Sequence, residues 1–173
     1  MRYVAFLGGI NVGGHRVKMD RLRDEFTSLG CQDVSTFIAS GNVIFSSSRR
    51  AAGLELDVDA RLHEELGYAV PTFVRRAADV GAISTREPWG AVPEGHTLMV
   101  WFLRDAPDAA PTTSTLGLSN DQDRFAVFGR ELYQQIAGTF SGSSVKPATL
   151  ARALGQRATA RNTTSLRKLA ATL

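Results

Sequence analysis

Two groups of residues in this chain have the types and spacing that capture an anion. The first is Asn11, Gly13, Gly14, His15 and Lys18, from the run Gly8-Gly9-Ile10-Asn11-Val12-Gly13-Gly14-His15-Arg16-Val17-Lys18, with Ser40 and Asn42 further along. Glycines expose backbone amides, the short polar side chains add donors, and His15, Arg16 and Lys18 bring positive charge, which together suit a phosphate or carboxylate. The second group is Ser144 and Lys146, from a Gly/Ser-rich loop, with Arg161 and Asn162 at the start of the last helix, whose positive dipole end adds to the cations. Each feature also has an ordinary reading. Glycines turn corners and allow close packing, Asn42 shapes a hairpin, Asn162 caps a helix, Lys146 is solvated, and Arg161 braces a neighbouring segment.

Named phosphate motifs are absent. A Walker A loop needs Lys-Ser/Thr after its second glycine, whereas Gly13 is followed by Gly14-His15 and Gly14 by His15-Arg16, and no Gly-x-Gly-x-x-Gly occurs. Catalytic arrangements are equally thin. His15, His63 and His96 have no zinc-ligand spacing, so no metal and no cofactor are expected. Cys31 lacks a redox partner and follows a helix C-terminus, where the dipole raises a thiol pKa. Asp59 and His63, four residues apart on one helix, read as solvated surface, and Trp89 and Trp101 as packing residues. Catalytic residues are unassigned, and whether the protein is an enzyme is left open.

The elements that would position these groups follow from periodicity. Arg2–Leu7 is β-rich and empties into the glycine run. Met19, Leu22, Phe26 and Leu29 recur at helical spacing before Gly30, and Val34–Ala39 and Asn42–Ser46 form a hairpin about Ser40-Gly41. Leu54, Val58, Leu62 and Leu66 give a second helix ending at Gly67, and Tyr68–Val74 is a strand that Pro71 assigns to an edge. The order is βαββαβ, the ferredoxin-like split unit. After a helix over Ala77–Ile83 and a connector rich in proline and glycine, the order recurs. Thr97–Leu103 is a strand, Thr112–Leu116 a short helix, Phe125–Phe128 and Glu131–Ile136 a hairpin, Pro147–Leu154 a helix, Arg157–Ala160 a strand, and a helix from Asn162 closes the chain. The expected fold class is α+β, two ferredoxin-like units in tandem, each followed by a helix. The expected boundaries are 1–84, a connector at 85–96, and 97–173.

Four motifs, Gly9-Ile10-Asn11-Val12-Gly13-Gly14 with Lys18-Met19, Ser40-Gly41-Asn42-Val43-Ile44-Phe45, Gly129-Arg130-Glu131-Leu132-Tyr133, and Thr159-Ala160-Arg161-Asn162 with Arg167-Lys168-Leu169, resemble a bacterial family catalogued as domain of unknown function family 1697. The resemblance implies a duplicated ferredoxin-like fold and no assigned activity. The chain departs from the family's usual pattern at Gly8, where arginine is common, and at Thr163, where an aromatic is common.

The chain has 173 residues, 43% of them hydrophobic, enough to build a core, and its net charge of +3 permits nucleic acid or anionic ligands without requiring them. With one cysteine and no apolar span of about 20 residues, the expected protein is cytoplasmic with no membrane partner. The leading expectation is a small anionic ligand, a phosphorylated metabolite or nucleotide, held at one of the loop groups. The alternative is a nucleic-acid-binding or regulatory module without chemistry. Nucleic acid is disfavoured through a sheet of the RNA-recognition type, because Gly41-Asn42-Val43-Ile44-Phe45 carries one aromatic and no leading cation. Oligomeric state is not legible.

Overall fold

The computed structural model describes residues 1–11, 13–14, 16–38 and 41–173. The chain divides into two compact units, Met1–Val80 with Thr172–Leu173, and Gly81–Ala171.

The first unit runs β1 (Arg2–Leu7), α1 (Met19–Ser28), β2 (Gln32–Phe37), β3 (Asn42–Ser46), α2 (Ala51–Leu66) and β4 (Thr72–Arg76), with α3 (Ala77–Thr85) following. Its sheet order is β2-β3-β1-β4, and every neighbouring pair is antiparallel. Because β3 opposes both β1 and β2, those two run parallel, as a split βαβ unit requires. Tyr3, Ala5 and Leu7 alternate onto one face of β1 and meet Val43 and Phe45 of β3, Leu22 and Phe26 of α1, and Leu54, Val58 and Leu62 of α2. The Phe26 and Phe45 rings lie 5.2 Å apart and tilted. A fully buried side chain of this size contributes roughly 1.5–3 kcal/mol. Gly67 ends α2 in the left-handed region, φ +76°, its N–H donating to the His63 carbonyl at 2.9 Å.

β4 begins at Thr72, later than periodicity placed it. Pro71 has no N–H to give a ladder, and its carbonyl instead accepts from the Gly8 N–H at 2.8 Å. The strand then carries through Arg75 and Arg76, which the apolar pattern alone had excluded. Two carboxylates from α2 secure it: Asp59 accepts from the Thr72 N–H and Glu55 from the Val74 N–H, each at 2.7 Å.

The second unit runs β5 (His96–Leu103), α4 (Ala109–Leu116), β6 (Asp123–Phe128), β7 (Glu131–Ala137), a 3-10 turn at Phe140–Gly142, α5 (Pro147–Leu154), β8 (Ala158–Asn162) and α6 (Thr163–Ala170). Its sheet order, β6-β7-β5-β8, reproduces that of the first unit strand for strand. Met99, Trp101, Leu103, Phe125, Leu132 and Ile136 form the sheet side of the core, and Leu150 and Leu154 of α5 cover it. The α+β class and the repeated βαββαβ units therefore stand as expected.

The repeat reaches single residues. Arg75 pairs with Val4 in the first sheet and Arg161 with Val100 in the second. Each guanidinium turns back on its own strand, Nη1 of Arg75 donating to the Val74 carbonyl at 3.0 Å and Nη1 of Arg161 to the Ala160 carbonyl at 2.8 Å.

Candidate functional site

The glycine run and the β2–β3 hairpin come together as the split unit demands. The Leu7 N–H donates to the Gly41 carbonyl at 2.8 Å, and the Tyr68 hydroxyl donates to the Ile10 carbonyl at 3.0 Å. Asn11 folds the loop on itself, its Oδ1 accepting from the Val17 N–H at 2.9 Å. Ile10 is buried and seals the base of the loop. Above that base, Gly13 and Gly14 are exposed, with φ of +69° and +87° and no heavy atom within 4 Å of where a Cβ would stand. Packing therefore does not explain these two glycines; the left-handed backbone does. Arg16 and Lys18 are exposed beside them, and Lys18 occupies the N-cap of α1 without a side-chain capping bond.

Asn42 behaves differently. It is 2% exposed, its Nδ2 donates to the Phe37 carbonyl at 3.3 Å, and its backbone pairs with Phe6. Its side chain closes the hairpin. His15 and Ser40, the remaining expected members of this group, lie outside the described residues.

The second group collects at one end of its sheet. Ala137, just before the loop, pairs with His96, and Asn162 pairs with Met99, three positions along the same strand, or roughly 10 Å at strand spacing. Its side chains are largely spoken for. Ser144 donates its backbone N–H at 2.9 Å and its hydroxyl at 2.6 Å to Oδ2 of Asp123, and accepts from Asn120 at 3.1 Å. Asn162 accepts from the Ser165 N–H at 2.7 Å as the N-cap of α6. Arg161 donates to the Thr159 hydroxyl at 3.0 Å, and burial pushes its guanidinium down to about 10, still cationic at neutral pH. Ser144, Lys146 and Asn162 are exposed and Arg161 half-buried, and Lys146, the residue immediately before Pro147 opens α5, makes no side-chain capping bond.

Asp123 organises this end of the unit, and sequence reasoning passed over it. Its carboxylate is fully buried, and Oδ1 accepts from Gln134 Nε2 and the Ser143 hydroxyl, both at 2.7 Å. Gln134 in turn accepts from the Trp101 indole N–H at 2.8 Å. Burial pushes the Asp123 carboxyl up, but its hydrogen bonds from Ser144, Ser143 and Gln134 outweigh burial and hold it below the ordinary carboxylate range. The readable signal was an acidic residue beginning the first strand of a hairpin whose second strand carries Gln134, followed by paired serines in the next loop. Among the described residues no group of three His, Cys, Asp or Glu side chains is disposed to hold a metal ion, and no helix is long and apolar enough to cross a membrane.

Comparison with known proteins bears on the fold. Residues 1–133 match the family described as "Protein of unknown function (DUF1697)". Among solved structures, the conserved bacterial protein SP0830 from Streptococcus pneumoniae is similar, with 22% identity, a TM-score of 0.74, and coverage of 98% of this chain and 97% of that one. No curated protein matches. At that identity the structural likeness speaks for the architecture alone.

Proposed function

This chain belongs to the DUF1697 family, and from its own residues we propose that it binds a small anionic ligand, a phosphorylated metabolite or nucleotide, at the loop 8–18. The observation that carries the reading is the exposed Gly13-Gly14 pair, left-handed, unobstructed, and flanked by Arg16 and Lys18 above a base fixed by Ile10 and Asn11. The exposed amides of Gly13 and Gly14, a few residues before a ten-residue helix, offer donors for phosphate oxygens, and Arg16 and Lys18 add the charge. Among the described residues, neither Arg16 nor Lys18 forms an ion pair. The second group supports a ligand less well, since the Asp123 network and the α6 cap already use Ser144 and Asn162. A cytoplasmic setting goes with this reading, because a phosphorylated metabolite and the free thiol of Cys31 both belong in a reducing compartment.

Isothermal titration with a panel of nucleotides and sugar phosphates tests the proposal. At least one compound should bind, and replacing Arg16 and Lys18 by alanine should weaken it about tenfold or more, the loss expected for charge-assisted hydrogen bonds. Absence of heat from every compound at millimolar concentration would remove the proposal.

A further inference from the structure

The second sheet carries, at its β6 edge, a feature that neither loop group explains. Phe125 and Val127 of β6 face the core under α5, so Arg124, Ala126 and Phe128 alternate onto the opposite face. The segment Arg86–Trp89 lies against that face. The Arg86 guanidinium is 4.4 Å from the centre of the Phe128 ring, and the Arg124 guanidinium is 4.9 Å from the centre of the Trp89 ring. Each of the two segments thus contributes one arginine and one aromatic, in crossed pairs.

Both arginines are exposed, and Phe128 is 39% exposed although it is a large apolar side chain on an edge strand. The local carboxylates are engaged or buried. Glu87 binds Arg167 at 3.0 Å, Asp123 is enclosed on the core side, and Glu131, which pairs with Phe128, has partners of its own. Among the described residues neither Arg86 nor Arg124 forms an ion pair. A guanidinium stacked on a ring keeps its planar group extended along the surface, with N–H edges left for an anion and an outer face on which a second planar group can stack.

We propose that this edge, Arg86 with Phe128 and Arg124 with Trp89, docks single-stranded nucleic acid. Arg124 and Phe128 are four residues apart on β6, so the two guanidinium–ring pairs are spread over roughly 13 Å at strand spacing. That span matches about four stacked bases at roughly 3.4 Å each. Phosphates take the N–H edges, and bases stack on the guanidinium planes and exposed ring surface, without sequence preference. Duplex nucleic acid fits less well, because its bases are already stacked and offer no free face. The site differs from the aromatic third-strand platform of an RNA-recognition motif, because its aromatics sit on the sheet's edge strand and on the segment before β5, within the same unit.

Fluorescence anisotropy with fluorescein-labelled oligouridylate and oligothymidylate of about twenty nucleotides, at about 50 mM salt, tests this in the full chain. Three pairs of substitutions are compared. Arg86→Gln with Arg124→Gln should weaken binding about tenfold or more and flatten the log–log salt dependence by about 1.4, at roughly 0.7 per phosphate contact. Arg86→Lys with Arg124→Lys keeps the charge but not the planar stack, and should lose several-fold. Arg152→Gln with Arg157→Gln, which changes net charge equally at exposed positions elsewhere in the unit, should bind nearly as the unsubstituted protein does. No anisotropy change with either oligonucleotide overturns the proposal. So does binding by the lysine pair equal to that of the unsubstituted protein, or an equal loss in the Arg152 and Arg157 pair, since either shows only diffuse attraction to a polyanion.

Discussion

A Cβ on Gly41 would stand 2.7 Å from Cγ2 of Ile10 and 3.1 Å from Cβ of Leu7, so the hairpin turn and the glycine loop meet at a point where only hydrogen fits. Ile10 is 3% exposed and has little room to withdraw. Gly41 is also left-handed, φ +73°.

Gly41→Ala therefore carries two costs, about 1–2 kcal/mol for a side chain in left-handed backbone and about 1–3 kcal/mol for overpacking against Ile10. Denaturant unfolding should show a loss of about 2–5 kcal/mol. Gly13→Ala has the same backbone penalty but nothing within 4 Å, so it should lose only about 1–2 kcal/mol. Equal losses at the two positions would show that contact with Ile10 is not what demands glycine at Gly41.

Asp123 supplies a second contrast. Asp123→Ala takes one acceptor from each of Gln134 Nε2, the Ser143 hydroxyl and the Ser144 N–H; the first two keep a second acceptor, in Ser143 Oγ and the Val145 carbonyl, so at about 1 kcal/mol for each lost bond the loss should be about 3 kcal/mol. Asp123→Asn, which keeps shape and one acceptor, should lose less. The pH dependence has a definite sign. The folded carboxyl is held below its unfolded value of about 3.9, so the unfolded chain takes up the proton more readily and acid favours unfolding. This stability is fully present above about pH 4 and is lost as pH falls through the folded value. The Asn variant should unfold with a shallower acid limb, and matching acid limbs would contradict the assignment.

These two residues also show what sequence could and could not deliver. The first βαββαβ order was legible because α1 and α2 repeat apolar residues at helical spacing and are followed by glycines, Gly30 and Gly67, that are left-handed in the fold. Pro147 marked the start of α5 for an equally local reason. Tertiary contacts were not legible. Nothing near Gly41 in the chain reveals that Ile10 will press on it, and Ser144 looks like a loop donor until Asp123, 21 residues earlier, takes its hydroxyl. Arg161 looked like a ligand-binding cation. Only the paired sheets reveal that Arg75 stands in the same register with the same bond to the preceding carbonyl. Strand ends slipped where charge hides the alternation, at Arg75-Arg76 in β4 and at Arg161-Asn162 in β8.

Cys31 should be chemically silent. It is 4% exposed among the residues of the first core, and burial pushes its thiol up, with Arg49 opposing only in part. The thiolate is the reactive form, so an aromatic disulfide reagent at neutral pH should label the native protein only as fast as it opens. Addition of denaturant should release one equivalent. Rapid stoichiometric labelling in buffer would place the thiol at the surface and contradict the packing described.

Tyr133 gives the alkaline counterpart of Asp123. Burial and the neighbouring Glu131 carboxylate push its phenol up to about 12, against the smaller opposing pull of Arg86. Its hydroxyl donates to the Ile83 carbonyl at 3.0 Å, a bond that phenolate cannot make. The unfolded phenol ionises near 10, so the stability linked to Tyr133 is fully present below about pH 10 and is lost as pH rises towards the folded value. Ultraviolet absorbance titration of the protein, minus that of Tyr133→Phe, should isolate one phenol ionising near 12. Tyr133→Phe should cost about 1 kcal/mol at neutral pH, the net worth of one buried hydrogen bond. In Arg86→Gln the late ionisation should move higher still, because a charge that favours phenolate is gone; an unchanged or lower value would mean that Arg86 does not favour the phenolate in solution.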